Sequence, residues 1–221
     1  MSKRVFLSPS NQYDNVYAYG NTTEGVQCGK IADACKIALE RSGVDVMLMH
    51  DESMQTKCAE SNKFGADLHV PIHTNAFNGK VMGTRMFCYN SGKGMAACKA
   101  IFARVAPLSP GTSENIQVNQ KLYEVRVPAA PTAYIECEFH DTVEGAKWIV
   151  ENTVLIGETI ARGICDYFGV TFKEPEQPKP ADGATIYRVQ VGAYVKKENA
   201  ENMLAKLKKD GYNGFIVEGK L

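Results

Sequence analysis

Several things this chain lacks narrow its reading before anything it contains. There is no excess charge of either sign: 25 Lys and Arg balance 25 Asp and Glu. A nucleic-acid binder normally shows a basic excess or a basic stripe, so that class is set aside. The opening Met1-Ser2-Lys3-Arg4-Val5-Phe6-Leu7-Ser8 has one basic pair and a three-residue apolar run. A secretory leader needs roughly 7–15 apolar residues and a small-residue cleavage site. No later stretch reaches the roughly 20 apolar residues of a membrane span. The expectation is synthesis in the cytoplasm without a signal peptide. Cysteine pairs at CxxC spacing are missing too. The seven cysteines (28, 35, 58, 88, 98, 137 and 165) are odd in number and sit mostly inside apolar patterns. They read as small buried hydrophobes in a reducing compartment, not as a disulfide framework or a cysteine-ligated zinc.

What is present is ordinary globular composition, 44% hydrophobic and 23% charged over 221 residues. That is room for one well-cored domain and a small extra unit. The main punctuation is Lys173-Glu174-Pro175-Glu176-Gln177-Pro178-Lys179-Pro180-Ala181-Asp182-Gly183, whose prolines favour an extended spacer and forbid continuous helix. The chain therefore divides into a large domain over 1–172, a linker over 173–183 and a short unit over 184–221.

The large domain alternates short apolar runs with longer helical patterns. Val5–Ser8, Val44–Met49, Leu68–His73, Thr84–Tyr89 and Ala133–Glu138 read as strands. Gly25–Ser42, Glu52–Phe64, Met95–Val105 and Val143–Phe168 read as helices, the last broken near Asn152. This alternation predicts an α/β fold of three layers, with a mostly parallel central sheet flanked by helices. Ligands in such sheets gather outside the carboxyl ends of the strands.

Polar groups stand at those ends. Ser8-Pro9-Ser10-Asn11-Gln12 follows the first strand, and Ile72-His73-Thr74-Asn75 closes the third. Ile135-Glu136-Cys137-Glu138-Phe139-His140-Asp141 closes the fifth, and Glu24 opens the first long helix. Metal-assisted hydrolysis uses such a set. Zinc with three protein ligands lowers the pKa of a bound water to about 7, and a nearby carboxylate takes its proton. His73 and Glu24 suit the ligand role and Glu136 the base. Each also has an ordinary reading: a His at a strand end is commonly a hydrogen-bonded structural residue, and a Glu in a first helical turn complements the dipole. The pattern by itself leaves both open.

Residues 4–168 resemble the N-acetylmuramoyl-L-alanine amidase family of bacterial cell-wall hydrolases and phage endolysins. The resemblance rests on Ala66-Asp67-Leu68-His69-Val70-Pro71-Ile72-His73-Thr74-Asn75-Ala76, on Pro131-Thr132-Ala133-Tyr134-Ile135-Glu136 through Thr142, on Glu24, and on Gly83 before the fourth strand. It implies Zn2+ as cofactor, Glu24 and His73 as ligands, Glu136 as general base and Asn75 in support. The implied reaction is hydrolysis of the amide between N-acetylmuramic acid and L-alanine in peptidoglycan, degrading the cell wall towards lysis after release of the enzyme.

One position departs from that pattern. Where the family has its first His, this chain has Asn11 or Gln12, and an amide oxygen is a poorer zinc ligand than imidazole. Three readings stay open: His140 as substitute ligand or substrate contact, Asn11 or Gln12 as ligand, or impaired metal binding. Gln12, Tyr17 and His50 are further substrate-contact candidates, Tyr17 from the aromatic loop Tyr13–Gly20. His69 lies about 13 Å from His73 at strand rise, too far to share a metal.

After the linker, Ile186–Tyr194 alternates as a strand, Glu198–Lys209 is an amphipathic helix and Phe215–Val217 a second strand. This βαβ unit resembles the first half of the sporulation-related repeat (SPOR) domain, which binds peptidoglycan. So short a unit buries too little surface to be stable alone, which raises docking on the large domain or a homodimer. Two alternatives accompany the amidase reading: a non-catalytic peptidoglycan-binding protein on a degenerate amidase fold, and a zinc peptidase acting on wall peptides.

Overall fold

The computed structural model of the chain describes residues 2–175, 189–209 and 214–219. Six strands, β1 (Arg4–Pro9), β2 (Asp45–Leu48), β3 (Leu68–Asn75), β4 (Arg85–Cys88), β5 (Asn115–Val118) and β6 (Tyr134–Phe139), form one sheet in the order β2-β1-β3-β6-β4-β5. Only the β4–β6 pairing is antiparallel; the others are parallel. The chain steps from β1 to β2 on one side and returns to β3 on the other. The carboxyl ends of β1 and β3 therefore flank a topological switch point, where such sheets place their ligands.

Side chains alternate between faces along a strand. One parity, Val5 and Leu7, Leu68, Val70 and Ile72, Ile135 and Cys137, is apolar and fully buried. It packs on α1 (Glu24–Arg41), α3 (Lys93–Val105), α5 (Val143–Glu151) and α6 (Thr153–Phe168). Each such Ile or Leu contributes about 1.5–3 kcal/mol relative to exposure. Helices α1 and α6 approach so closely that a Cβ on Gly157 would lie 2.4 Å from the Ile31 carbonyl oxygen, so a glycine is required there.

The opposite parity carries the polar groups Ser8, His69, His73, Glu136 and Glu138, together with Phe6, Pro71 and Tyr134. Two short helices serve this face, α2 (Met54–Phe64) and α4 (Tyr123–Arg126). α2 is tied down by Lys57 Nζ donating to the Pro9 carbonyl at 2.6 Å, and by Ser61 Oγ 3.0 Å from His69 Nδ1. All seven cysteines are free and buried.

The expected strands and helices lie within about two residues of the observed ones, the usual uncertainty of element ends. The break before α6 falls at Asn152 as expected. β5 and α4 were not anticipated; at four residues each they are too short to show a periodicity. The chain divides into two units, Met1–Pro175 and Glu176–Leu221. In the second, α7 (Lys197–Lys209) is present. Part of the strand expected over 186–194 lies outside the described residues, and 189–194 and 214–219 form no strand. Two strands lacking a wider sheet are marginal in water.

Candidate active site

Glu24 and His73 meet at the carboxyl edge of the sheet. Glu24 is the first residue of α1, and its backbone N–H donates to the Asn15 carbonyl at 2.9 Å. Its side chain is buried, and Oε1 lies 2.9 Å from His73 Nδ1. Asn15 Nδ2 donates to Oε2 at 2.8 Å, and Gln12 Nε2 to Oε1 at 3.4 Å. Burial pushes this carboxyl up, but the hydrogen bond and charge of His73, with hydrogen bonds from Asn15 and Ser10, outweigh it and hold its pKa below the usual value. Burial acts on His73 in the opposite sense, disfavouring its charged form. The Glu24 hydrogen bond and the surrounding carboxylates prevail, and its pKa is raised.

His73 is held flat against Tyr134, ring centroids 4.7 Å apart and planes 19° from parallel. In the parallel pairing of β3 with β6, its register partner is Glu136. A bulge follows between His73 and Asn75, loosening the strand end beside the site. Glu136 Oε2 is shut off from solvent and has no hydrogen-bond partner. Burial, with a further push from Glu24, outweighs the pull of His73 and Arg85 and raises this carboxyl to about 7. A buried polar atom without a partner calls for an explanation. A base with pKa near neutrality, kept clear of hydrogen bonds, is prepared to take a proton.

The other candidates are placed unevenly. Gln12 stands beside Glu24 and receives Asn15 Nδ2 on its own oxygen at 3.0 Å. Asn11 is exposed and donates to the Glu52 carbonyl at 3.2 Å. His140 is buried: Nδ1 is 3.0 Å from Thr74 Oγ1, and the ring stacks on Tyr17 at 4.8 Å. Burial lowers its pKa. Tyr17 is buried as well, its hydroxyl 2.7 Å from Thr74 Oγ1, so it braces the loop from within. Asn75 accepts the Ala76 N–H on its side chain at 2.9 Å and the His140 N–H on its carbonyl at 2.8 Å. His50 pairs with Asp33 at 3.0 Å. Asp33 lies nine residues beyond Glu24 on α1, about 13 Å along the helix axis, so His50 stands apart from the centre. Among the described residues, no third His, Cys, Asp or Glu donor joins His73 and Glu24 within 4.8 Å.

Two residues escaped the sequence reading. Tyr134, the stacking partner of His73, falls at an ordinary aromatic position of a strand. Glu138 accepts the N–H of Gly83 at 2.6 Å and of Phe139 at 2.7 Å, and the hydroxyl of Ser109. Gly83 has φ 138°, and a Cβ there would lie 2.8 Å from the Ser113 backbone, so only glycine fits above this carboxylate. The alternation of Glu136 and Glu138 on one face was visible in the sequence; that Glu138 is satisfied and Glu136 is not was invisible.

A sequence profile for N-acetylmuramoyl-L-alanine amidases matches residues 12–166. The chain belongs to that family. It is an amidase acting on peptidoglycan. A second profile, for the SPOR domain, matches residues 171–219. A sporulation-specific N-acetylmuramoyl-L-alanine amidase of Bacillus subtilis (strain 168) is 22% identical over 222 residues, 97% of this chain and 84% of the relative. Among solved structures, Cwp6 from Clostridium difficile matches with TM-score 0.70 and 22% identity over 76% of this amidase, which spans 29% of Cwp6. The catalytic domain of CwlV, an amidase from Bacillus (Paenibacillus) polymyxa, gives TM-score 0.69 at 16% identity, covering 77% of this chain and 100% of that one. AmiC2 of Nostoc punctiforme gives 0.65 at 20%, covering 76% and 97%. At such identities the likeness carries the three-layer fold. Among the described residues, no helix is long and apolar enough to cross a membrane.

Proposed function

We propose that this amidase is a zinc enzyme cleaving the amide between the lactyl group of N-acetylmuramic acid and L-alanine, with Glu136 as general base. The observation that carries the reading is the grouping of His73, Glu24 and Glu136 at one sheet edge, with one Glu136 oxygen left unpartnered. The donors suit zinc: an imidazole nitrogen and a carboxylate oxygen 2.9 Å apart, Glu24 further oriented by Asn15. Of the third donors the sequence left open, Gln12 is the one that stands beside them. Ligation through its oxygen needs a half-turn of the amide, which gives up both the donation to Glu24 and the hydrogen bond accepted from Asn15. Asn11 and His140, each engaged elsewhere, are the weaker claimants to that position.

Zinc bound there would polarise the scissile carbonyl and acidify the attacking water. Glu136 accepts the water's proton and passes it to the departing amine, for which a pKa of about 7 suits both directions. Tyr134 fixes the His73 ring and Asn15 fixes Glu24, so these two groups need little rearrangement during turnover. Exposed Tyr13 and Tyr19 on the neighbouring loop offer faces for a sugar ring. The SPOR region holds the enzyme on glycan strands, self-association through it adds a second grip, and wall degradation leads to lysis.

The test is product analysis on purified peptidoglycan with zinc measured on the same samples. New L-alanine amino termini in proportion to bound zinc, absent with Glu136→Ala, are expected. Release of other amino termini by the wild type would point to a wall peptidase instead. No release and no zinc would end the enzyme mechanism proposed here.

A further inference from the structure

A second group of metal-type donors lies on the polar face of the sheet, apart from His73 and Glu24. Cys58 of α2, His69 of β3 and Glu124 of α4 are all buried, and their ligand atoms lie within 4.8 Å of one another. His69 Nε2 has no hydrogen-bond partner. It stands 3.4 Å from Glu124 Oε1, close enough for an ion pair but not aligned as a hydrogen bond. In a tetrahedral zinc site with nitrogen and oxygen bonds of about 2.0–2.1 Å, neighbouring ligand atoms are about 3.3–3.4 Å apart. The pair already has that spacing.

We propose that Cys58, His69 and Glu124 bind a structural divalent cation of the zinc class, separate from the catalytic site. Thiolate, imidazole and carboxylate are zinc donors, and a hydroxyl or a water completes four. Ser8 Oγ, which donates to Glu124 Oε1, is a protein candidate for that fourth place. The ring nitrogen of His69 that would not bind metal is already committed, Nδ1 to Ser61 Oγ at 3.0 Å, and Phe6 stacks on the ring at 5.2 Å. Outer partners of this kind orient metal-bound histidines. Binding releases the Cys58 thiol proton to solvent; thiolate and carboxylate then balance the charge of the dication.

The packing gives this metal something to do. The buried face of α2 consists of Lys57, Cys58 and Ser61, without a large apolar side chain. α4 is only four residues long and cannot bury much. A cation joining Cys58, His69 and Glu124 would clamp both helices onto β3, the strand that carries His73.

The experiment uses the full chain with Zn2+ and Co2+ as probes. No other cysteine among the described residues belongs to a group of three such donors, so a thiolate-to-cobalt charge-transfer absorption reports on Cys58. The Co2+-loaded wild type should show that absorption, Cys58→Ser should lose it and bind one zinc fewer per chain, and His73→Ala should keep it. Circular dichroism and retained amidase activity establish that Cys58→Ser is folded. Should it fail to fold, the wild-type spectrum decides. Absence of the absorption from the wild type, or its persistence in Cys58→Ser, overturns the proposal. Failure of the catalytic zinc reading shows separately, as unchanged zinc content in His73→Ala.

Discussion

On one face of the sheet Val5, Leu7, Leu68, Val70, Ile72 and Ile135 pack against the long helices. On the other, Ser8, His69, His73, Glu136 and Glu138 occupy the intervening positions of the same strands. The first arrangement supplies stability, because buried apolar area is favourable wherever it is well packed. The second costs stability, because buried polar groups need partners and Glu136 Oε2 and His69 Nε2 have none. Chemistry is thus concentrated on the face that holds the buried polar groups.

Mutations should separate the two faces. Glu136→Gln should lower the amidase rate by about 10²–10⁴-fold, the usual worth of a positioned general base, while leaving the melting temperature equal or higher, since a poorly satisfied carboxyl is removed. Release of L-alanine amino termini and a thermal melt read both. Ile160→Ala, behind the apolar face, should show the reverse: a loss of about 2–5 kcal/mol in urea unfolding, with unchanged rate per folded molecule. Ser53→Ala removes the hydroxyl that accepts the Thr56 N–H at 3.1 Å and caps α2. It should cost about 1 kcal/mol by the same unfolding measurement. Lys36→Ala breaks the Lys36–Glu40 pair on α1, which is largely exposed, and should change stability by no more than about 0.5 kcal/mol. If the last two exceeded the core substitution, the division of labour between the faces would be wrong.

The apolar face was legible because period-two and period-3.6 patterns report burial directly, and the strands carrying Val5, Val70 and Ile135 could be placed from them. That His73, Glu24 and Glu136 meet at one sheet edge was legible because strand ends and helix starts converge at a switch point. The roles expected of them came from the resemblance to the amidase family, since the pattern alone left a structural reading open. The state of each group was not legible. His140 as substitute and Asn11 or Gln12 as third donor all stood open in the sequence, yet local backbone turns send Asn11 to Glu52 and His140 to Thr74, and leave Gln12 by Glu24. Tyr17, a substrate-contact candidate by its place in the aromatic loop, is packed inside against His140. The cluster of Cys58, His69 and Glu124 was hidden more deeply, because its members come from three elements and α4 is too short to be anticipated.

The claim on which the rest depends is that the group at the β1 and β3 ends is the amidase centre. His73→Ala tests it most directly, with L-alanine amino-terminus release and a thermal melt followed on the same preparation. The account predicts a loss of activity of at least about 10²-fold in a protein that still unfolds cooperatively. Wild-type release from folded His73→Ala protein would contradict it.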